Sequence, residues 1–292
     1  MKTVFAVILI ILSLFIHKIE GVFSKKYGAK HDKGGFVFTA IISLFSMLFF
    51  LFEDLITDAN GLQFEQTLIY YGLIAGVCFA TASMTMYWVL GHGPYGLSNL
   101  ISSYSVLITI GYGLVIGESL SVLSWIGVIL ICVSLSLIMT RNQEDEKLKI
   151  TVKWLAVLVF SVLCAAAFGV LQRQQQIVFF SVYDNEFMVI TLTVSALLLF
   201  VFGVIKDGKY IKDAFKYGFF YAAGAGVANG VTNFLTLFVY TLVPISFAAP
   251  MKTGISIVIA FLLARLIFKE KYTLRQYIGV ALGCIALILF NI

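Results

Sequence analysis

A lysine stands well inside an apolar run: Lys252 in "FAAPMKTGIS", residues 247–256. An ammonium so placed either snorkels to the polar edge or faces a cavity, because an uncompensated charge at depth costs about 3 kcal/mol. As a cavity residue it would hold the negative group of a small molecule. In "GAGVANGVTNFLT", Asn229 and Asn233 are four apart and share a helical face, with Gly226 and Gly230 on an adjoining one. Such a helix either offers amides to a ligand or uses them as interhelical glue beside closely packed glycines. "GVLQRQQQ" adds Gln172 and Arg173, the latter either a helix-end anchor or a second cavity cation. "SNLISSYSV" carries a dense polar stripe that includes Ser102 and Tyr104, suited equally to cavity lining and to helix packing. His17, Lys18 and Glu20 in "FIHKIEG" form either a gate or proton group, or a plain interfacial cluster.

The elements that must position these residues follow from composition. Of 292 residues, 61% are hydrophobic and 12% charged, and the mean hydropathy is +1.00. Soluble domains carry about 25% charged residues, and apolar runs of the length that spans a bilayer recur from end to end. The chain reads as an all-α integral membrane protein, without the short alternating segments of a membrane barrel. A net charge of +5 does not point to nucleic acid. Cys78, Cys132, Cys164 and Cys284 show neither zinc nor CxxC spacing and read as buried small residues, so neither metal nor other cofactor is expected. The opening "MKTVFAVILIILSLF" lacks a small-x-small cleavage site and reads as a retained first helix.

Apolar runs between polar breaks predict about ten helices, near 3–22, 35–52, 67–90, 96–116, 120–139, 152–175, 185–205, 215–242, 245–267 and 272–291. The most polar connector, "RNQEDEKLK", lies near the midpoint and divides the chain into 1–140, a linker at 141–151, and 152–292. The halves are self-similar. "LSVLSWIGVILICVSLSLI" lies over "YTLRQYIGVALGCIALILF", with Gly127 over Gly279 and Glu118 over Glu270. Pro94 lies over Pro244, and Ser13 and Gly21 over Ser161 and Gly169. With five helices per copy the second begins on the opposite side of the membrane, so the repeats are inverted, an architecture of secondary transporters. The register sets Ser102 opposite Lys252, and Phe79 and Ser83 opposite Asn229 and Asn233. A site for an asymmetric substrate needs such differences between the halves.

On these features the chain resembles the drug/metabolite transporter superfamily, and more narrowly its EamA-type ten-helix permeases. The resemblance rests on the five-plus-five repeat, on Pro94 and Pro244 opening the fourth and ninth helices, and on the acidic breaks "IGES" and "FKEK" before "WIGV" and "YIGV". It implies export or exchange of amino acids, metabolites, sugars, nucleotide sugars or drugs. The chain departs from the pattern in lacking a tryptophan late in the first helix and in the acidic loop "EDLITDANGLQFEQ" after the second. The clusters at Lys25–Lys33, Arg141–Lys153, Lys206–Lys216 and Lys269–Arg275 share one side of a ten-span topology, so the positive-inside rule puts both termini outside. The resemblance implies cytoplasmic termini.

Glu20 and Glu118 read as helix-end residues, which leaves one central lysine without a central acid. That favours a carboxylate, phosphate or zwitterion over a strongly cationic drug. No P-loop provides for ATP. The leading reading is a secondary transporter, working as a monomer in a bacterial plasma membrane on a small polar metabolite, with Lys252 lining its cavity. The alternative is a lipid-linked sugar flippase or another membrane enzyme, for which His17, Lys18, Glu20 and His92 are the only clustered polar groups.

Overall fold

The computed structural model describes residues 2–30, 34–57, 61–102, 105–118, 121–138, 151–267 and 273–289. Among them every regular element is helical: α1 (Lys2–Gly28), α2 (Gly35–Thr57), α3 (Gln66–His92), α4 (Tyr95–Ser102), α5 (Ser105–Val115) and α6 (Val122–Ile138) in the first half. The second half holds α7 (Val152–Phe179), α8 (Asp184–Asp207), the short α9 (Ile211–Asp213), α10 (Phe219–Leu242), α11 (Ile245–Leu266) and α12 (Leu274–Leu289). Six helical stretches are long and apolar enough to cross a membrane, and three shorter apolar ones lie at Ser105–Val115, Val122–Ser134 and Leu274–Ala286.

Several boundaries differ from the sequence expectation: α2 and α7 run past their expected ends at 52 and 175 to Thr57 and Phe179, and two further differences bear on the site. The lysine-rich segment expected to loop between 205 and 215 is helical: a 3-10 turn at Gly208–Tyr210, α9 and a π turn at Ala214–Gly218 join α8 to α10 in one 59-residue stretch. Helix α1 runs past the expected end at residue 22 to Gly28. Its last turns are held by tertiary contacts that polarity hides. Tyr27 stacks on Phe38 at 4.4 Å, and the Lys25 ammonium lies 5.7 Å from the Tyr95 ring centre.

The surface is apolar and part of the interior is polar. Phe200, Val201, Val204 and Ile205 of α8 are exposed, whereas Ser43, Ser46, Thr191, Ser195 and Gln175 are fully buried. A buried hydroxyl without a partner is costly in an apolar interior, and Thr191 Oγ1 has none among the described residues. Ser43 and Ser195 meet at 2.9 Å between α2 and α8, and Ser46 donates to the Gly226 carbonyl at 2.7 Å. The four cysteines, expected to be buried, are only partly so.

The largest helix contacts cross between the halves: α1 with α10, α3 with α7, α2 with α10, α3 with α8, α2 with α8 and α6 with α12. Exchanging α1 with α7, α2 with α8, α3 with α10 and α6 with α12 returns the same set of pairs. Local geometry obeys the same exchange. Gly93 and Val243 are both extended (φ −143° and −142°), and the carbonyls of Pro94 and Pro244 accept from Ser98 N at 3.1 Å and Ala248 N at 2.9 Å. Gly127 and Gly279 are both buried, and the Gly279 carbonyl accepts from Ser134 of α6 at 2.6 Å.

Small residues set these packings. A Cβ on Gly226 would lie 2.6 Å from the Ile42 carbonyl oxygen, and one on Gly76 would lie 2.8 Å from that of Thr191. Close approach of α10 to α2, and of α3 to α8, therefore requires glycine at these points. Gly226→Val is expected to cost about 2 kcal/mol through overpacking, seen as a lowered thermal midpoint. Gly111→Ala, where an added Cβ meets nothing within 4 Å, should be neutral or stabilise by up to about 1 kcal/mol.

Candidate functional site

Helix α10 has two working faces. Gly226 and Gly230 turn to α2, where their missing side chains leave room for Phe45 and Phe49. On the other face Asn229, Asn233 and Thr236 line a cavity of ≈ 360 Å³. That volume lies within the range of small-molecule sites, about 300–1,000 Å³. Both halves build the wall, which draws on α1, α3, α4, α5, α7, α10 and α11.

Lys252 is on this wall. Its ammonium donates to Thr236 Oγ1 at 2.9 Å and sits 6.0 Å from the centre of the Tyr240 ring, a cation–π distance. It forms no ion pair among the described residues. Pro250, two residues earlier, lies inside α11 and has no N–H for the carbonyl of Ser246, so the helix lacks one backbone bond next to the cavity.

Of the seven residues expected to bind substrate, five converge here, Lys252 among them. Ser102, Gln172, Asn229 and Asn233 line the cavity, as do Phe79 and Ser83 opposite the asparagines in the repeat. Asn233 donates to Asn229 Oδ1 at 3.0 Å and receives Gln172 Nε2 at 3.2 Å, so the amides serve one another as well as the cavity. Ser102 donates to the Ser98 carbonyl at 2.8 Å. Arg173 is not on the cavity wall. Tyr104 and Glu270 lie outside the described residues.

The first helix requires a correction. Because α1 continues eight residues beyond Glu20, that carboxylate is not at a helix end; it lines the cavity with His17 and Lys18. Glu20 Oε2 accepts from Asn229 Nδ2 at 2.9 Å and lies 3.3 Å from His17 Nδ1. Lys18 is 4% exposed and donates to Asn99 Oδ1 at 2.7 Å. A second lysine and a carboxylate thus join Lys252, where one lysine without an acid was expected. The available signal was the i, i+3 spacing of His17 and Glu20, outweighed by the polar run "KKYGAK" that seemed to end the helix. His92 lies apart, stacked on Trp88 and bonded to its carbonyl at 2.8 Å.

Comparison with known proteins adds the following. The EamA-like transporter family matches the chain twice, over residues 4–140 and 152–292. A solved structure described as "Crystal structure of protein" is similar in fold, with a TM-score of 0.67 at 14% identity, covering 98% of this chain and 97% of the other. No curated protein matches the sequence.

Arg173 works at one end of the cavity region. Its guanidinium donates to the Tyr240 carbonyl at 2.9 Å and pairs with Glu118 at 3.5 Å. Glu118, just beyond α5, also accepts from Ile245 N at 3.3 Å and Ser246 N at 2.8 Å. A carboxylate from the first half thereby caps the N-terminus of α11 in the second, where the helix dipole favours negative charge. Gly113 leaves the space this needs, since a Cβ there would lie 2.9 Å from Glu118 Oε2. Lys25, opposite Arg173 in the repeat, similarly reaches a backbone carbonyl, that of Gly93, at 3.4 Å. Glu118→Ala and Arg173→Ala should each lower the thermal midpoint. A double-mutant cycle should return a coupling of about 1–2 kcal/mol; additive losses would show that the pair does not act as a unit.

Proposed function

The chain belongs to the EamA-like transporter family of the drug/metabolite transporter superfamily and is a multi-pass integral membrane protein, and from that premise we propose that it is a secondary transporter of a small polar metabolite, anionic or zwitterionic. The observation that carries the substrate class is Lys252: an ammonium on the cavity wall, held only by a hydroxyl and an aromatic face among the described residues. A substrate carboxylate or phosphate supplies the missing counter-charge and forms a charge-assisted hydrogen bond.

Transport proceeds by alternating access between two inverted five-helix repeats, 1–140 and 152–292. The helices count to ten spans when the 59-residue stretch is taken as two and α4 with α5 as one. The exchange symmetry of their contacts supports the pairing of the halves. In an inverted pair the same motion that opens one side closes the other. The unit of transport is the monomer, seated in a bacterial plasma membrane and driven by substrate gradient, exchange or protons.

The test is thermal stability of the purified protein against a metabolite panel, in parallel with Lys252→Ala. A ligand at about 100 times its dissociation constant stabilises the fold by about 2.7 kcal/mol. Anionic or zwitterionic compounds should shift the wild type and leave Lys252→Ala unmoved. Equal responses would contradict the role of Lys252. Loss of function on His92→Ala, with Lys252→Ala active, would favour interfacial chemistry instead.

A further inference from the structure

Among the described side chains that line the cavity, the charged ones are Lys18, Glu20 and Lys252, with His17 beside Glu20. They are not mixed together. Glu20 is bonded to Asn229 and Lys252 to Thr236, and both partners belong to one face of α10. Helix α10 therefore serves as a ruler: seven residues at about 1.5 Å per residue set the two bonds about 10 Å apart along the axis. Lys18 lies two residues from Glu20 on α1, and its partner Asn99, on α4, also lines the cavity.

One end thus offers a carboxylate and an ammonium, and the other an ammonium alone. We infer that the cavity is shaped for an α-amino acid whose side chain bears a second anionic group. This deepens the transporter reading above and rests on it. Glu20 takes the α-ammonium, Lys18 the α-carboxylate and Lys252 the distal anion. Apart from His17, charge balances in kind: two wall cations and one wall anion face two substrate anions and one substrate cation. The axial offset of the two bonds on α10 calls for a distal anion separated from the amine by several bonds. A simple α-amino acid with an apolar side chain leaves Lys252 without a counter-charge, and a dicarboxylate lacking the amine offers Glu20 no ammonium.

The direct test is equilibrium binding of three probes to the purified wild type: L-glutamate, its neutral-tailed isostere L-glutamine, and glutarate, which lacks the amine. L-Glutamate should bind at least about tenfold more tightly than either, the scale of one charged hydrogen bond. Lys252→Ala should abolish the preference for L-glutamate over L-glutamine. Glu20→Gln should reduce L-glutamate to the level of glutarate. If glutarate equals L-glutamate on the wild type, the zwitterionic head site is wrong while anion binding at Lys252 stands. If L-glutamine equals L-glutamate, the role of Lys252 fails and the inference with it. Absence of binding by all three overturns the inference and leaves the broader transporter reading to its own panel.

Discussion

Everything in this fold depends on where charge and amide groups can be housed inside an apolar shell. The outer helix faces are hydrocarbon, so two lysines, a glutamate and two asparagines can exist at depth only if helices are arranged around them. Helix α10 meets this condition by dividing its surface. Glycines on one side allow it to lie against α2, and the amide and hydroxyl groups on the other side line the cavity. Tight packing and the polar site are two consequences of one sequence pattern. A larger residue at Gly226 would disturb the position of Asn229 as well as the α2 contact.

The second organising feature is that the halves are interleaved. The dominant helix pairs cross from one repeat to the other, and Glu118 of the first half caps α11 of the second while pairing with Arg173 of α7. A motion of one repeat against the other must therefore act on the cap, on the Tyr240 carbonyl held by Arg173, and through α11 on Lys252. The ion pair lies at the opening of α11, seven residues before Lys252. Pro250 sits between them and removes one backbone bond at the point where α11 would need to yield.

Much of this was legible in the residues. The internal offsets found the repeat, and the prolines found the start of α4 and α11, because a missing N–H and a fixed φ belong at a helix opening. The four-residue spacing of Asn229 and Asn233 found their common face, and Lys252 stood out as a charge in an apolar run. The first helix was misjudged for a physical reason. Polarity ends a span in a sequence reading, yet the last turns of α1 are held by Tyr27 on Phe38 and Lys25 against Tyr95. That error moved Glu20 and Lys18 to an interface and hid the acid of the cavity. Arg173 was left between two roles since its partner, Glu118, is far away in sequence and only packing brings it near. The helical join between α8 and α10 was missed because four lysines there look like a loop.

The central claim is that the cavity between the repeats is reached in turn from each side of the membrane. A single cysteine at Ser102, with Cys78, Cys132, Cys164 and Cys284 replaced, can be labelled in vesicles of one orientation with a membrane-impermeant maleimide. The reagent is added outside in one sample and trapped inside in another. Labelling from both sides, suppressed by a bound anionic substrate, is the result the account predicts. Labelling from one side only, at any substrate concentration, would contradict it.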